Sequence, residues 1–218
     1  MNRPWLRNLP AYFAAGGVAV YLIFAVLAYS RYSGDFSPAN NNWLSDLGNR
    51  NLNPDGANFY VWGCILAGIF LGGFFVSIFT WRATGSKIQN WLLLAVQVTG
   101  LIAAVSLVMS AVYTEDQFAA HQFWSRLING GFAGALFMAP FAFHRAGRNS
   151  AVLIAVSATG YASIVARLIF ESAHWIEWPS LALILVFVSW IGLMSASERH
   201  LQPAQKPHSR PGALKPEV

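Results

Sequence analysis

The sequence has a single cysteine, Cys64, which excludes a disulfide framework and a cysteine-based zinc motif. Charge is scarce too: 11% of the 218 residues are Asp, Glu, Lys or Arg, too few to clothe a soluble domain. No Asn-x-Ser/Thr acceptor occurs. No lysine falls inside a long apolar run, which removes a buried Schiff-base amine and with it a retinal pigment. Nor is there a phosphate-cradling glycine loop, because "RATGSK" at Arg82 to Lys87 sits between two apolar runs rather than after a strand.

What the chain has instead is apolar surface: 56% hydrophobic residues and nine tryptophans. Six apolar runs are long enough to cross a hydrocarbon layer of about 30 Å at about 1.5 Å per helical residue. They are Ala11 to Tyr29, Phe59 to Trp81, Trp91 to Tyr113, Ile128 to Phe143, Ala151 to Phe170 and Pro179 to Ala196. The fourth is short and is expected to begin near Phe123. Continuous rather than alternating apolarity predicts helices, not barrel strands. The expected fold class is an all-α integral membrane protein, a bundle of six transmembrane helices over residues 1–196. An outer polar loop covers 30–58, and residues 197–218 form a cytoplasmic, disordered basic tail. The first run follows Arg3 and Arg7, as a secretory signal would, but it lacks a small-x-small cleavage site and reads as a spanning helix.

Basic residues gather on one side of this scheme. Arg3, Arg7, Arg82, Lys87, Arg145, Arg148, Arg199, Lys206, Arg210 and Lys215 share it, against Arg31, Arg50, Arg126 and Arg167 on or near the other. The positive-inside rule then places both termini in the cytoplasm. Of the nine acids, Asp35, Asp46, Asp55, Glu115, Asp116, Glu171 and Glu177 fall on the outer side, a bias that rule does not explain. The net charge of +5 is collar and tail, suited to anionic headgroups, and nucleic acid is not an expected partner.

Three outer segments carry chemistry. In the first, "NNNWLSDLGN" leads to "NPDG", a turn in which Pro54 fixes one dihedral and Gly56 is expected to take a positive one; Asn58 is the expected cap of the second helix. In the second, Glu115 and Asp116 precede His121, Ser125 and Asn129 at a spacing of four. Imidazole beside carboxylates suits a divalent metal or an acid/base pair, although the HExxH spacing is missing. In the third, Arg167, Glu171 and His174 share one face of a continuing helix, with Glu171 the expected partner of Arg167. A bis-histidine haem on His121 and His174 lacks an attachment motif and a second pair. Gly-xxx-Gly spacing at Gly68 to Gly72 and Gly130 to Gly134 predicts close helix contacts, within the monomer rather than at a dimer face. Gln97 and Asn129 are candidates for polar contacts in or near the core.

The Ser-Asp-Leu-Gly motif after the first run, the Asn-Pro before the second and "TEDQFAAHQFWSRL" together resemble the bacterial and archaeal membrane family called domain of unknown function 998. More distantly the chain is similar to the Frag1/DRAM/Sfk1 group. The resemblance singles out Ser45, Asp46, Gly48, Pro54 and His121 and implies no reaction; the eukaryotic group implies lipid organisation and membrane trafficking.

The leading expectation is a non-enzymatic protein that binds membrane lipid or a partner subunit, without a cofactor, in a prokaryotic cytoplasmic membrane. The alternative is an outward-facing, metal-assisted lipid hydrolase or transferase. There Asp46, His121, His174 and Glu171 are the catalytic candidates, and His121, His174, Asp46 and Glu115 the ligands of a divalent metal such as zinc. Arg126 or Arg167 would hold an anionic headgroup. A small transporter is the third reading, with only Gln97, Ser106 and Thr159 near the helix centres.

Overall fold

The computed structural model describes residues 6, 8–37, 42–81, 86–143, 150–170 and 174–197. Six long helices run through them: α1 (Leu9–Tyr29), α2 (Ala57–Ser77), α3 (Lys87–Val112), α4 (Phe118–Ala142), α5 (Ser150–Ile169) and α6 (Glu177–Ser197). Short 3-10 turns occupy Leu44–Gly48, Ile78–Trp81, Glu115–Gln117 and His174–Ile176. Among the described residues, five stretches are long and apolar enough to cross a membrane: Leu9–Tyr29, Ala57–Trp81, Lys87–Val112, Ala151–Ile169 and His174–Ala196. The fold is therefore that of a multi-pass, all-helical membrane protein. The sixth helix, α4, differs because its first half carries His121, Gln122, Ser125, Arg126 and Asn129.

Each helix packs on its chain neighbours, and α6 closes back on α1. Phe74, Phe75, Val96, Ala103, Leu136, Phe187 and Ile191 fill the interior. Trp62, Ile69, Trp91, Phe137 and Leu193 stay exposed on the outside, where a hydrocarbon solvent costs them nothing. Small residues set the closest contact. A Cβ on Gly131 would lie 2.6 Å from the Thr99 carbonyl oxygen, one on Gly68 would lie 2.6 Å from Val108, and one on Gly134 would lie 2.9 Å from Thr99. The glycines thus hold α3 against α2 and α4, as packing within one chain requires. Gly130, by contrast, faces open space. Gln97 donates to the Phe75 and Val76 carbonyls at 3.0 and 3.2 Å, where α2 gives way to the 3-10 turn Ile78–Trp81.

Several local expectations change. α4 starts at Phe118 rather than near Phe123, and α6 at Glu177 rather than Pro179. The residue capping α2 is Gly56, not Asn58, which is exposed. Gly56 has φ −106°, so glycine is needed there for space and not for a left-handed backbone. A Cβ at that position would lie 2.5 Å from the Ala28 carbonyl oxygen. α5 ends at Ile169, and His174 belongs to a separate turn, so Arg167 and His174 do not share a helical face. Glu171 lies outside the described residues, as do the tail and most of the basic collar.

Asn53 ties one end of the molecule together. It is fully buried; its amide donates to the Ala28 carbonyl at 3.1 Å and the Leu47 carbonyl at 2.9 Å, and its oxygen accepts from the Gly56 N–H at 3.1 Å. One side chain thereby joins the end of α1, the Leu44–Gly48 turn and the start of α2. That turn also packs on Glu115–Gln117. Alternating helix directions bring both turns and His174–Ile176 to the same end of the molecule.

Candidate functional site

The cap begins with the Leu44–Gly48 turn. Asp46 is buried and accepts from the Trp43 N–H at 2.9 Å and the Asn42 amide at 3.4 Å, an arrangement that nucleates the turn. The Leu44 N–H donates across 2.8 Å to Oε2 of Glu177, whose Oε1 pairs with Arg167 at 3.3 Å. Arg167 therefore finds a partner on α6; Glu171, its expected partner, lies outside the described residues. The Arg167 guanidinium also lies 5.2 Å from the centre of the Trp43 ring, and His174 packs against the same ring at 4.1 Å. The Trp178 indole donates to the Asn42 carbonyl at 3.4 Å. These contacts clamp the loop onto α5 and α6.

Glu115 faces this cluster from the turn before α4. Its carboxyl is pushed up to about 9, first by burial, then by the hydrogen bond and negative charge of Asp46 and the charge of Glu177; Arg167 opposes the shift. Glu115 is thereby held protonated at neutral pH. Its Oε2 is buried without a protein partner. The same negative field acts on Tyr32, whose hydroxyl is raised by burial first and then by Asp46 and Glu115.

The raised Glu115 value has a consequence for stability. Its folded value lies above that of the unfolded chain, so the folded state binds more protons between pH 4.5 and about 9 and loses stability as pH rises through that window. Glu115→Gln is expected to flatten this dependence and raise the unfolding midpoint at pH 8 by roughly 2–4 °C. Parallel melts of both proteins at pH 5 and pH 8 check it; equal slopes would show that Glu115 is ionised in the fold.

His121 sits at the head of α4 with its Nδ1 at 3.0 and 2.9 Å from the Ser110 and Tyr113 carbonyl oxygens. Carbonyl oxygens only accept, so Nδ1 bears the proton. Nε2 then faces the Ser125 hydroxyl at 3.3 Å, one helical turn on, and Asn129 donates to the Ser125 carbonyl at 2.8 Å.

Beneath the cap lies a cavity of about 140 Å³ between the helices. Its upper wall is polar, with Ser45, Glu115, His121, Ser125, Arg167 and Glu177; below, Phe13, Val18, Tyr60, Leu71, Leu107, Leu181 and Val188 line an apolar shaft. A second cavity of about 200 Å³ opens above it, lined by Trp43, Phe118, Gln122, Arg126 and Leu168. Ser45, Glu115, His121, Ser125, Asn129 and Arg167 belong to both and form the neck between them.

Comparisons with protein-family models, curated proteins and solved structures give no match. The site is therefore read from its geometry.

Of the residues expected from sequence, Glu115, His121 and Arg167 meet at the neck, Asp46 stands behind Glu115, and Arg126 lines the upper cavity. Ser45 also lies at the neck and Gly48 lines the lower cavity, whereas Pro54 is exposed on its turn. His174 packs on Trp43 and lines neither cavity. Among the described residues, no three His, Cys, Asp or Glu side chains are grouped to hold a metal ion. Sequence reasoning passed over Glu177, Trp43 and Asn53. An acid opening a helix, as Glu177 opens α6, was the available signal for the first; a long-range contact has no signal in spacing for the other two.

Proposed function

We propose that this protein is a lipid-binding protein of the prokaryotic cytoplasmic membrane, a bundle of six transmembrane helices with both termini in the cytoplasm. It takes one single-chain amphiphile into the space between its helices. The observation that carries this is the polarity of the cavity along its length: charged and hydrogen-bonding groups at the neck, apolar side chains below. An amphiphile satisfies both ends, since its chain replaces empty contacts in the shaft and its headgroup meets Arg167, Arg126 and the open Oε2 of Glu115. Membership of the domain of unknown function 998 family is part of the same proposal, supported by the meeting of its two motifs at one neck through Ser45 and His121.

Native mass spectrometry of protein released from detergent is the test. The native chain is expected to carry one amphiphile per protomer. Ala67→Leu, which adds bulk where Ala67 lines the shaft, should lose it while keeping or raising the unfolding midpoint, because the new side chain fills space already empty. Equal amphiphile occupancy in both proteins would contradict a chain in the shaft.

A further inference from the structure

Resting on that amphiphile site, we infer that Ser125 and His121 form a nucleophile and general-base pair that hydrolyses a carboxylic ester held at the neck. The pair has the geometry its chemistry needs. A serine hydroxyl is a weak nucleophile until a base accepts its proton in the transition state, and the base must present an unprotonated nitrogen. His121 does so because both oxygens facing its Nδ1 are carbonyls, at 3.0 and 2.9 Å, and fix the proton there. Its Nε2 is left as an acceptor 3.3 Å from the Ser125 hydroxyl. The Ser110 and Tyr113 carbonyls occupy the place that a carboxylate takes in other serine–histidine pairs: they orient the ring and lend partial negative charge to the imidazolium as it forms.

Placement completes the argument. Both side chains line both cavities, so they stand where the apolar shaft gives way to the polar vestibule. In an acyl ester the scissile carbonyl lies at that same junction of chain and headgroup. With the acyl chain in the shaft, the carbonyl reaches Ser125 and the alcohol portion projects towards Arg126 in the upper cavity. Arg167 lines the same neck while paired with Glu177, and its positive charge favours the developing oxyanion.

The reaction balances without a further reagent. The Ser125 oxygen bonds to the acyl carbon as its proton passes to His121 Nε2. The ester C–O bond breaks, and His121 returns the proton to the departing alkoxide, which leaves as an alcohol. Water then attacks the acyl-serine, giving its proton to His121; the acyl–oxygen bond breaks, Ser125 regains the proton, and a carboxylic acid is released.

The test uses the purified full chain in detergent and a long-chain alkyl fluorophosphonate, which Ser125 would attack at phosphorus with loss of fluoride. Intact mass and peptide mapping are expected to show one adduct, on Ser125, that Ser125→Ala abolishes and His121→Gln slows by about 100-fold. Absence of an adduct on Ser125 in the native chain, or a rate that His121→Gln leaves unchanged, would overturn the inference. Native mass spectrometry on the same samples separates the two proposals. Bound amphiphile without an adduct removes the catalytic pair and keeps the binding site. An adduct without bound amphiphile keeps the pair and removes the binding site, and neither signal removes both.

Discussion

Asn53→Leu is expected to lower the unfolding free energy by about 3 kcal/mol, read as a fall in the detergent-denaturation midpoint. The cause is not the loss of one average hydrogen bond. Leucine would strip the buried Leu47 carbonyl of its side-chain donor and leave the Ala28 carbonyl and the Gly56 N–H with only their backbone partners, the Arg31 N–H and the Asn53 carbonyl, each at 3.2 Å. The three groups lie on α1, the Leu44–Gly48 turn and α2, so the loss also loosens the roof over the cavity. Asn53→Asp should be no rescue, because the carboxylate keeps the acceptor for Gly56, loses both donors and adds a buried negative charge. An unchanged midpoint in Asn53→Leu would show that the turn closes without this hub.

The second large effect is expected at Arg167. Its ion pair with Glu177 leaves each side chain 16% exposed, so removing the cation strands a mostly buried carboxylate. Arg167→Gln should cost about 3 kcal/mol. It also removes the one charge that opposes the upward shift of Glu115, whose carboxyl then holds its proton more tightly. Glu177 is tied to Leu44 as well, so the loop and α6 would both feel the change. The double variant Arg167→Gln, Glu177→Gln should be more stable than Arg167→Gln alone, since it deletes the stranded charge. A double-mutant cycle measures this coupling, and additive effects would show that the pair is solvated in the folded protein.

These two sites show where the sequence is legible and where it is not. The helices are readable because every membrane-crossing segment must satisfy its own backbone, which forces long unbroken apolar runs such as Trp91 to Tyr113. α4 is harder: its entry carries the polar residues of the neck, so hydropathy marks the helix as starting later than Phe118. His121, Ser125 and Asn129 remain recognisable as a helical row because their spacing is local. Arg167 and His174 illustrate the limit of such spacing. It assumes an unbroken helix, whereas α5 ends at Ile169, His174 belongs to a separate turn, and Glu177 at the start of α6 pairs with Arg167. Asn53 is invisible for a related reason. Asparagine next to proline reads as an ordinary turn residue, and nothing in the local sequence tells that its amide reaches Ala28, 25 positions earlier.

The central claim is that a polar cap and an apolar shaft form one amphiphile site between the helices. Photolabelling with a single-chain amphiphile bearing a diazirine near its chain terminus tests it most directly, with the protein in nanodiscs and the adducts mapped by peptide mass. Adducts are predicted on shaft residues such as Leu71, Leu107 and Val188, and they should be competed away by excess unlabelled amphiphile. Adducts confined to outward-facing residues such as Trp62, Ile69 and Leu193 would contradict the claim, leaving the helices merely solvated by lipid.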